Sequence, residues 1–340
     1  MKSIVAYILV TAALLAQPTD LHSEEIVVNA VGDIMLAGTW APVLKKRGYD
    51  FPFAGVVAEL STGDINLANL ESPIATGGIE CITKKFRFRA EPEVAPAVRA
   101  AGFNLVTLAN NHSMDFGAEA LAETVQHLAA AGIGWIGAGS NLDEARTMAL
   151  YTIKGKKIAF LGYSLTRPTE FFAGLKRPGT APGYEKLVEE DIANARGQAD
   201  YIIVSFHWGT EGTGAVQPIQ RKMAHKAIDA GADVIIGHHP HVLQGIERYK
   251  SGIIFYSLGN FTFASRSKTA DVSAMIRLRL NDTERTAEIL PLDVQYRRVG
   301  FQPQFLKGEE GEAVIEKLNG LSKIFKTEIL NRGGRYILSF

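Results

Sequence analysis

Short apolar runs alternate with segments of helical periodicity from Ile26 to about Tyr256, a pattern that predicts a mostly parallel sheet covered by helices. The runs of strand length are Ile26–Val31, Ile65–Leu70, Leu105–Leu108, Lys157–Gly162, Tyr201–Phe206, Val234–Ile236 and Ile253–Ser257. Between them Ala54–Leu60, Glu91–Ala101, Ala118–Ala131, Glu185–Ala195 and Gln217–Ala230 carry apolar side chains at helical spacing, and several end in glycine. After Asn260 the period changes. Ser273–Leu280 and Thr286–Leu290 alternate around Asn281-Asp282, which predicts an antiparallel pair. Glu310 to Phe325 reads as one more amphipathic helix and Tyr336–Ser339 as a last short strand. The fold class is therefore α/β with a short antiparallel C-terminal part.

Composition narrows the class further. At 340 residues, with 46% hydrophobic and 21% charged side chains, the chain has the profile of an enzyme-sized globular protein. Its 36 basic and 36 acidic side chains cancel, so no electrostatic footprint for nucleic acid or an anionic membrane surface is present. Lys2 precedes the apolar run Ile4 to Ala16, which has the length of a signal-peptide core and is too short to span a bilayer. Export across the inner membrane is expected, to the periplasm or the cell surface, with residues 1–23 as signal peptide. Residues 24–265 then form the main domain, and residues 266–340 supply strands and a helix that complete it. The single cysteine, Cys81, has no partner for an internal disulfide.

Five polar motifs fall at the carboxyl ends of predicted strands: Gly32-Asp33, Asn69-Leu70-Glu71, Asn110-Asn111-His112, His207-Trp208-Gly209 and Gly237-His238-His239-Pro240-His241. Ligand crevices of open α/β sheets lie outside those ends, so residues distant in sequence are expected to converge there. Imidazoles mixed with carboxylates and amides suit a borderline divalent ion, Zn, Mn or Fe, better than calcium or magnesium. His239 and His241, two apart, can direct both rings to one side of an extended loop. His22, His127 and His225 read as ordinary histidines. The segments Ser72–Phe88 and Arg167–Gly183 are expected to be loops near this site. Trp208, Glu211 and Asn260 adjoin the cluster as substrate-binding candidates, with a packing wall as the alternative for the aromatic. Lys84, Lys85, Arg87 and Arg89 alternate with Phe86 and Phe88, as on a basic strand face or a solvated edge. Gly137-Ala138-Gly139 lacks the third glycine and acidic residue of a nucleotide fingerprint.

The strings VGDIMLAG (31–38), NLANLESPI (66–74), LANNHSMDFG (108–117), GAGSNLDEA (137–145), SFHWGTE (205–211), GADVIIGHHPHVLQGIE (231–247) and YSLGNFTF (256–263) resemble the CapA family of poly-γ-glutamate capsule proteins. That family is similar to the calcineurin-like metallophosphoesterases, so the resemblance implies their fold of layered sheets flanked by helices. It also implies a metal set of Asp33, Glu71, Asn111, His207, His239 and His241. His112 then falls on the histidine beside the metals that assists catalysis, with Asp115 orienting it. Two departures stand out. Met35 occupies the position of the second ligand in the first motif, where a thioether is a poor donor to such ions. Glu71 replaces an aspartate. One tight subsite from Glu71, Asn111, His207 and His239 follows, with Asp33 and His241 holding a second ion weakly.

Three functional classes fit these residues. The first is a metal-dependent hydrolase or transferase acting on an exported anionic envelope or capsule polymer, alongside membrane-bound synthase or export proteins. The second is a non-catalytic binding component of a capsule synthesis complex, which Met35 favours. The third is a metallophosphoesterase for small phosphate esters, which the incomplete two-metal set disfavours. The polymer rests on family resemblance, the metal on local chemistry.

Overall fold

The computed structural model describes residues 24–263, 265 and 267–340; the signal peptide expected over residues 1–23 lies outside the described residues. The strands form two large sheets rather than the single sheet that the alternation suggested. In the first, the strand order runs Leu330–Arg332, Arg335–Ser339, Arg285–Asp293, Val272–Leu280, Ile26–Met35, Ile65–Leu70, Leu105–Thr107 and Gly134–Ile136. In the second it runs Ile246–Tyr249, Gly252–Phe255, Val234–His238, Tyr201–His207, Lys156–Ser164 and Ala149–Ile153. The parallel strands Ile26–Met35, Ile65–Leu70 and Leu105–Thr107 lie in one sheet, and Lys156–Ser164, Tyr201–His207 and Val234–His238 in the other.

Side-chain alternation explains why these runs are apolar throughout. In Tyr201–His207, Tyr201 and Ile203 enter the core between the sheets, whereas Ile202, Val204 and Phe206 enter a second core beneath the helices Glu185–Arg196 and Pro218–Asp229. Lys156–Ser164 does the same, with Ile158 and Phe160 inward and Ala159, Leu161 and Tyr163 outward. On the far face of the first sheet, Val106 and Leu108 pack with Val94 and Val98 of the helix Val94–Ala100 and Leu121 and Leu128 of the helix Gly117–Ala130. The result is four layers, helix, sheet, sheet, helix, which is the layered α/β fold expected. A fully buried strand on both faces cannot show the alternation that would have separated two sheets from one.

Several boundaries differ for local reasons. The expected helix Ala54–Leu60 is reduced to Val57–Leu60, preceded by a 3-10 turn at Phe51–Phe53. Ala41–Arg47 is a helix that periodicity did not reveal, with Pro42 in its first turn, where proline costs no hydrogen bond. The segment from Lys84 to Arg89 is not a strand but an irregular strap. The antiparallel C-terminal strands join the first sheet directly, since Val272–Leu280 pairs with Ile26–Met35 from Ile26 opposite Leu280 to Ala30 opposite Ile276.

Candidate metal centre

Strand register brings the motifs together. Asp33 lies opposite Asn69 on one side and Asn260 on the other, and His238 lies opposite His207. The two sheets meet where the backbone N–H of His239 donates to Asp33 Oδ2 at 3.4 Å. His239 and His241 do not sit in an extended loop, as expected, but in the left-handed region, with φ of +94° and +58°. For a residue with a Cβ that conformation costs free energy and is retained where the fold over-determines it, commonly at functional sites. Here the two rings lie with centroids 5.9 Å apart.

One ligand atom from each of Glu71, His207 and His239 lies within 4.8 Å of the others, and so does one from each of Asp33, Glu71 and His241. Asn111 Oδ1 is 2.8 Å from His207 Nε2, which adds an amide oxygen to the first group. Glu71 belongs to both groups: its Oε1 is 3.8 Å from His207 Nε2 and 3.7 Å from His241 Nε2. All six residues expected to bind metal are therefore assembled, and Glu71 stands between two positions. Met35 is 2% exposed within the apolar core that includes Trp40 and Leu44, so the second group is left with three donors.

The donor set fits a divalent cation on an independent ground. Glu71 Oε1 and His239 Nδ1 are buried without a protein hydrogen-bond partner. Leaving such atoms unsatisfied costs roughly 1–3 kcal/mol each, more for a charged group. A cation held by these residues would remove that cost. Burial pushes His207 well below the usual imidazole range and His239 down to about 3, which keeps both rings in the neutral, ligating form at pH 7. Burial would lower His241 too, but the Glu71 and Asp33 carboxylates hold it up at about 9. Glu71 is raised by its own burial, so the Glu71–His241 pair retains a proton at neutral pH when no cation is bound. Asp33 is held well below the carboxylate range: burial opposes this, but the His238 and His241 imidazoles beside it prevail.

Asn69 ties the ligands to one another. Its side-chain N–H groups donate to Asp33 Oδ1 at 2.8 Å and Glu71 Oε2 at 3.1 Å, with His207 Nδ1 at 3.3 Å, while its Oδ1 accepts from Asn110 at 3.0 Å. His238 sets its Nδ1 3.2 Å from Asp33 Oδ1, off the direction of a good hydrogen bond. Asn69, Asn110 and His238 stand within the strand-end motifs, where residue type alone assigns them no role. Their signal was position at strand ends, but only the inter-strand register shows which ligands they hold.

Beside the ligands, His112 Nδ1 donates to Asp115 Oδ2 at 2.7 Å. Since a carboxylate can only accept, this fixes the proton on Nδ1 and leaves Nε2 as an acceptor. Asp115 also accepts from Lys84 Nζ at 2.8 Å and from the Phe88 backbone at 2.8 Å. Phe88 packs against the His112 ring, with centroids 4.6 Å apart and planes tilted by 44°. Burial lowers the His112 pKa and Asp115 opposes the shift, so the neutral ring prevails. Lys84 is thus neither a solvated edge nor part of a basic strand face; it is packed against the His112–Asp115 pair.

The three expected substrate-binding residues separate. Trp208 is fully buried, stacks on Phe206 at 4.6 Å and donates through Nε1 to Tyr256 O at 2.9 Å, so it is a packing wall and not a contact surface. Glu211 is exposed at the rim, with a carboxylate oxygen within 4.8 Å of ligand atoms of His239 and His241. Asn260 Oδ1 lies 2.9 Å from His241 Nδ1, which also faces Asp33 Oδ2 at 3.0 Å. Asn260 therefore orients a ligand rather than facing solvent.

Residues 27–265, which contain the whole cluster, match the family described as "Bacterial capsule synthesis protein PGA_cap". The chain is similar to the Bacillus anthracis capsule biosynthesis protein CapA, 32% identical over 282 residues that cover 81% of this chain and 69% of that one. It is also 32% identical over 278 residues to the PGA biosynthesis protein CapA of Bacillus subtilis (strain 168), covering 80% and 73%. Among solved structures, Haemophilus influenzae NAD nucleotidase aligns with a TM-score of 0.46 and 14% identity over 87% of this chain and 56% of that one. The 5'-nucleotidase precursor from Thermus thermophilus aligns at 0.45 and 11% over 76% and 52%, and likeness at that level concerns general layout alone. On the family match and the extent of identity to its relatives, the chain belongs to the PGA_cap family of bacterial capsule synthesis proteins.

Proposed function

We propose that the protein is an accessory enzyme of polyglutamate-type capsule polymer synthesis, working as a metal-dependent hydrolase or transferase on the exported polymer. The observation that carries this reading is Glu71: a fully buried carboxylate whose Oε1 lacks a hydrogen-bond partner and which belongs to both donor groups. Glu71, Asn111, His207 and His239 would hold one divalent ion of the Zn, Mn or Fe type, and Asp33, Glu71 and His241 a second, weaker one. An ion held there supplies Lewis acidity toward a scissile carbonyl or phosphoryl oxygen.

The chain's own residues do the rest. His112 accepts or returns a proton at Nε2, because Asp115 keeps the other nitrogen protonated and burial keeps the ring neutral. Lys84 and the Phe88 backbone hold Asp115, so the imidazole keeps its tautomer and direction. Export to the periplasm or cell surface is supported by the apolar run Ile4 to Ala16 after Lys2 and is checked by N-terminal sequencing of native material. Work at that location would bring membrane-bound synthase or export proteins within reach as partners.

A second reading, a non-catalytic binding component, draws on the buried Met35, which withholds an imidazole from the second metal position. The deciding experiment is complementation of a strain lacking the native gene by His112→Gln. This variant keeps the ligand set, so a folded, metal-loaded protein that fails to restore polymer production supports the enzyme. Full restoration by His112→Gln and by His207→Ala supports the binding component.

A further inference from the structure

An open groove of about 670 Å³ lies at the carboxyl ends of Lys156–Ser164 and Tyr201–His207, and its walls include Ser164, Leu165, Gly209 and Thr210. Those residues flank the metal ligand His207. Ser164 lies opposite it in the sheet register, the Leu165 N–H donates to His207 O at 2.9 Å, and Gly209 follows it by two residues. The groove therefore adjoins the backbone of His207, although none of the six candidate metal-binding residues lines it.

Its chemistry is selective. No acidic side chain lines it among the described residues, and it carries one cation, Arg167. Arg167 is exposed and has no hydrogen-bond or ion-pair partner among the described residues. Arg177 of the same loop, by contrast, donates to Phe172 O at 2.9 Å. The remaining surface is largely apolar. Phe172 and Tyr184 meet edge to face at 6.0 Å, and Tyr184 and Ile219 are 56% and 52% exposed, an unusual degree for side chains of that size in a concave surface.

We infer that this groove binds the anionic polyamide chain itself, with the Arg167 guanidinium pairing a backbone-borne carboxylate and the apolar wall taking the methylenes between amides. The inference rests on the polymer reading above and extends it to a specific subsite. A chain of γ-linked glutamate presents carboxylates separated by short methylene and amide stretches, and the groove offers the complementary sequence of one cation beside apolar surface. A guanidinium receives a carboxylate in a two-pronged, charge-assisted fork that an ammonium cannot match. The hydroxyls of Ser164 and Thr166, bonded to each other at 2.8 Å, give the wall a fixed polar edge toward the metal side. Held this way, successive amides of one chain would pass beside the backbone of His207 at the carboxyl end of its strand.

The test uses the metal-loaded mature protein and a short fluorescein-labelled oligomer of γ-linked glutamate, followed by fluorescence anisotropy. Arg167→Gln should weaken binding about tenfold, the effect of losing one charge-assisted pair, and Arg167→Glu should weaken it further. Arg332→Gln makes the same charge change on an edge strand of the other sheet and should leave binding unchanged. The corresponding γ-linked oligomer with each α-carboxylate converted to the carboxamide, which lacks those charges, should not bind. Equal affinity of wild type and Arg167→Gln, equal affinity for the two oligomers, or no binding by wild type overturns the assignment. The underlying reading fails differently: wild-type protein without tightly held metal refutes metal dependence, whereas unchanged affinity in a metal-loaded Arg167→Gln refutes the groove alone.

Discussion

Replacing Asn69 with leucine removes the amide that links Asp33, Glu71 and His207 while keeping the branch at Cγ. Asn69 is fully buried and donates to Asp33 Oδ1 at 2.8 Å, a charge-assisted bond because Asp33 is held ionised. Such a bond contributes roughly 1.5–3 kcal/mol, and leaving the buried Asp33 oxygen short of a donor puts the cost toward the upper end, about 3 kcal/mol. Asn110 adds little to that sum, because its side chain keeps a second acceptor, Leu70 O, at 2.8 Å. Unfolding entropy of about 2.1 cal/mol/K per residue translates 3 kcal/mol into a Tm loss of about 4 °C for a chain of this length. Metal affinity should fall by about 10–100-fold, the usual effect of removing a partner that orients ligands. Differential scanning calorimetry in excess chelator reads the first quantity, and competition with a chromophoric chelator reads the second. A folded Asn69→Leu protein with wild-type metal affinity would refute the claim that Asn69 organises the ligands.

Other outcomes follow from the same geometry. Glu71→Gln removes the carboxylate common to both donor groups and should lower metal content at both positions, as read by elemental analysis. Trp208→Ala should cost about 3–5 kcal/mol in denaturant unfolding yet leave metal stoichiometry intact, because Trp208 belongs to the outer core and not to the site. Glu288 is held below its usual range: burial opposes this, but Arg335, bonded to both its oxygens at 2.9 Å, with Arg277 and Arg279, prevails. A depressed carboxylate stabilises the fold above its unfolded pKa and loses that contribution as pH falls through the folded value. Glu288→Gln should therefore be less stable than wild type at pH 7, with the difference closing below about pH 4 in pH-dependent melts.

The strands that build the site were legible because they are buried on both faces: Ile65–Leu70 is read from its apolar run to the residue, and Tyr201–His207 to within one. The division into two sheets was not, since the same double burial removes the alternation that distinguishes an inner face from an outer one. The candidate ligands were legible as residue types at strand ends, and all six converge. What held them was hidden. Asn69 and Asn260 act on partners 36 and 19 residues away, Asp33 and His241. Lys84 reads as one of four basic residues in an irregular strap, and nothing in its spacing marks it as the one folded against Asp115. The convergence of His239 and His241 depends on left-handed backbone at both positions, where the sequence pattern suggested an extended loop.

The Glu71, Asn111, His207 and His239 group is predicted to hold a divalent ion. Elemental analysis of wild-type protein, expressed with transition metals available, purified without chelators and dialysed, tests it most directly alongside His207→Ala. About one equivalent of Zn, Mn or Fe per chain in wild type, lost in His207→Ala, is the predicted result. Wild-type protein that folds and emerges free of metal, or a His207→Ala variant that retains the full equivalent, would contradict it.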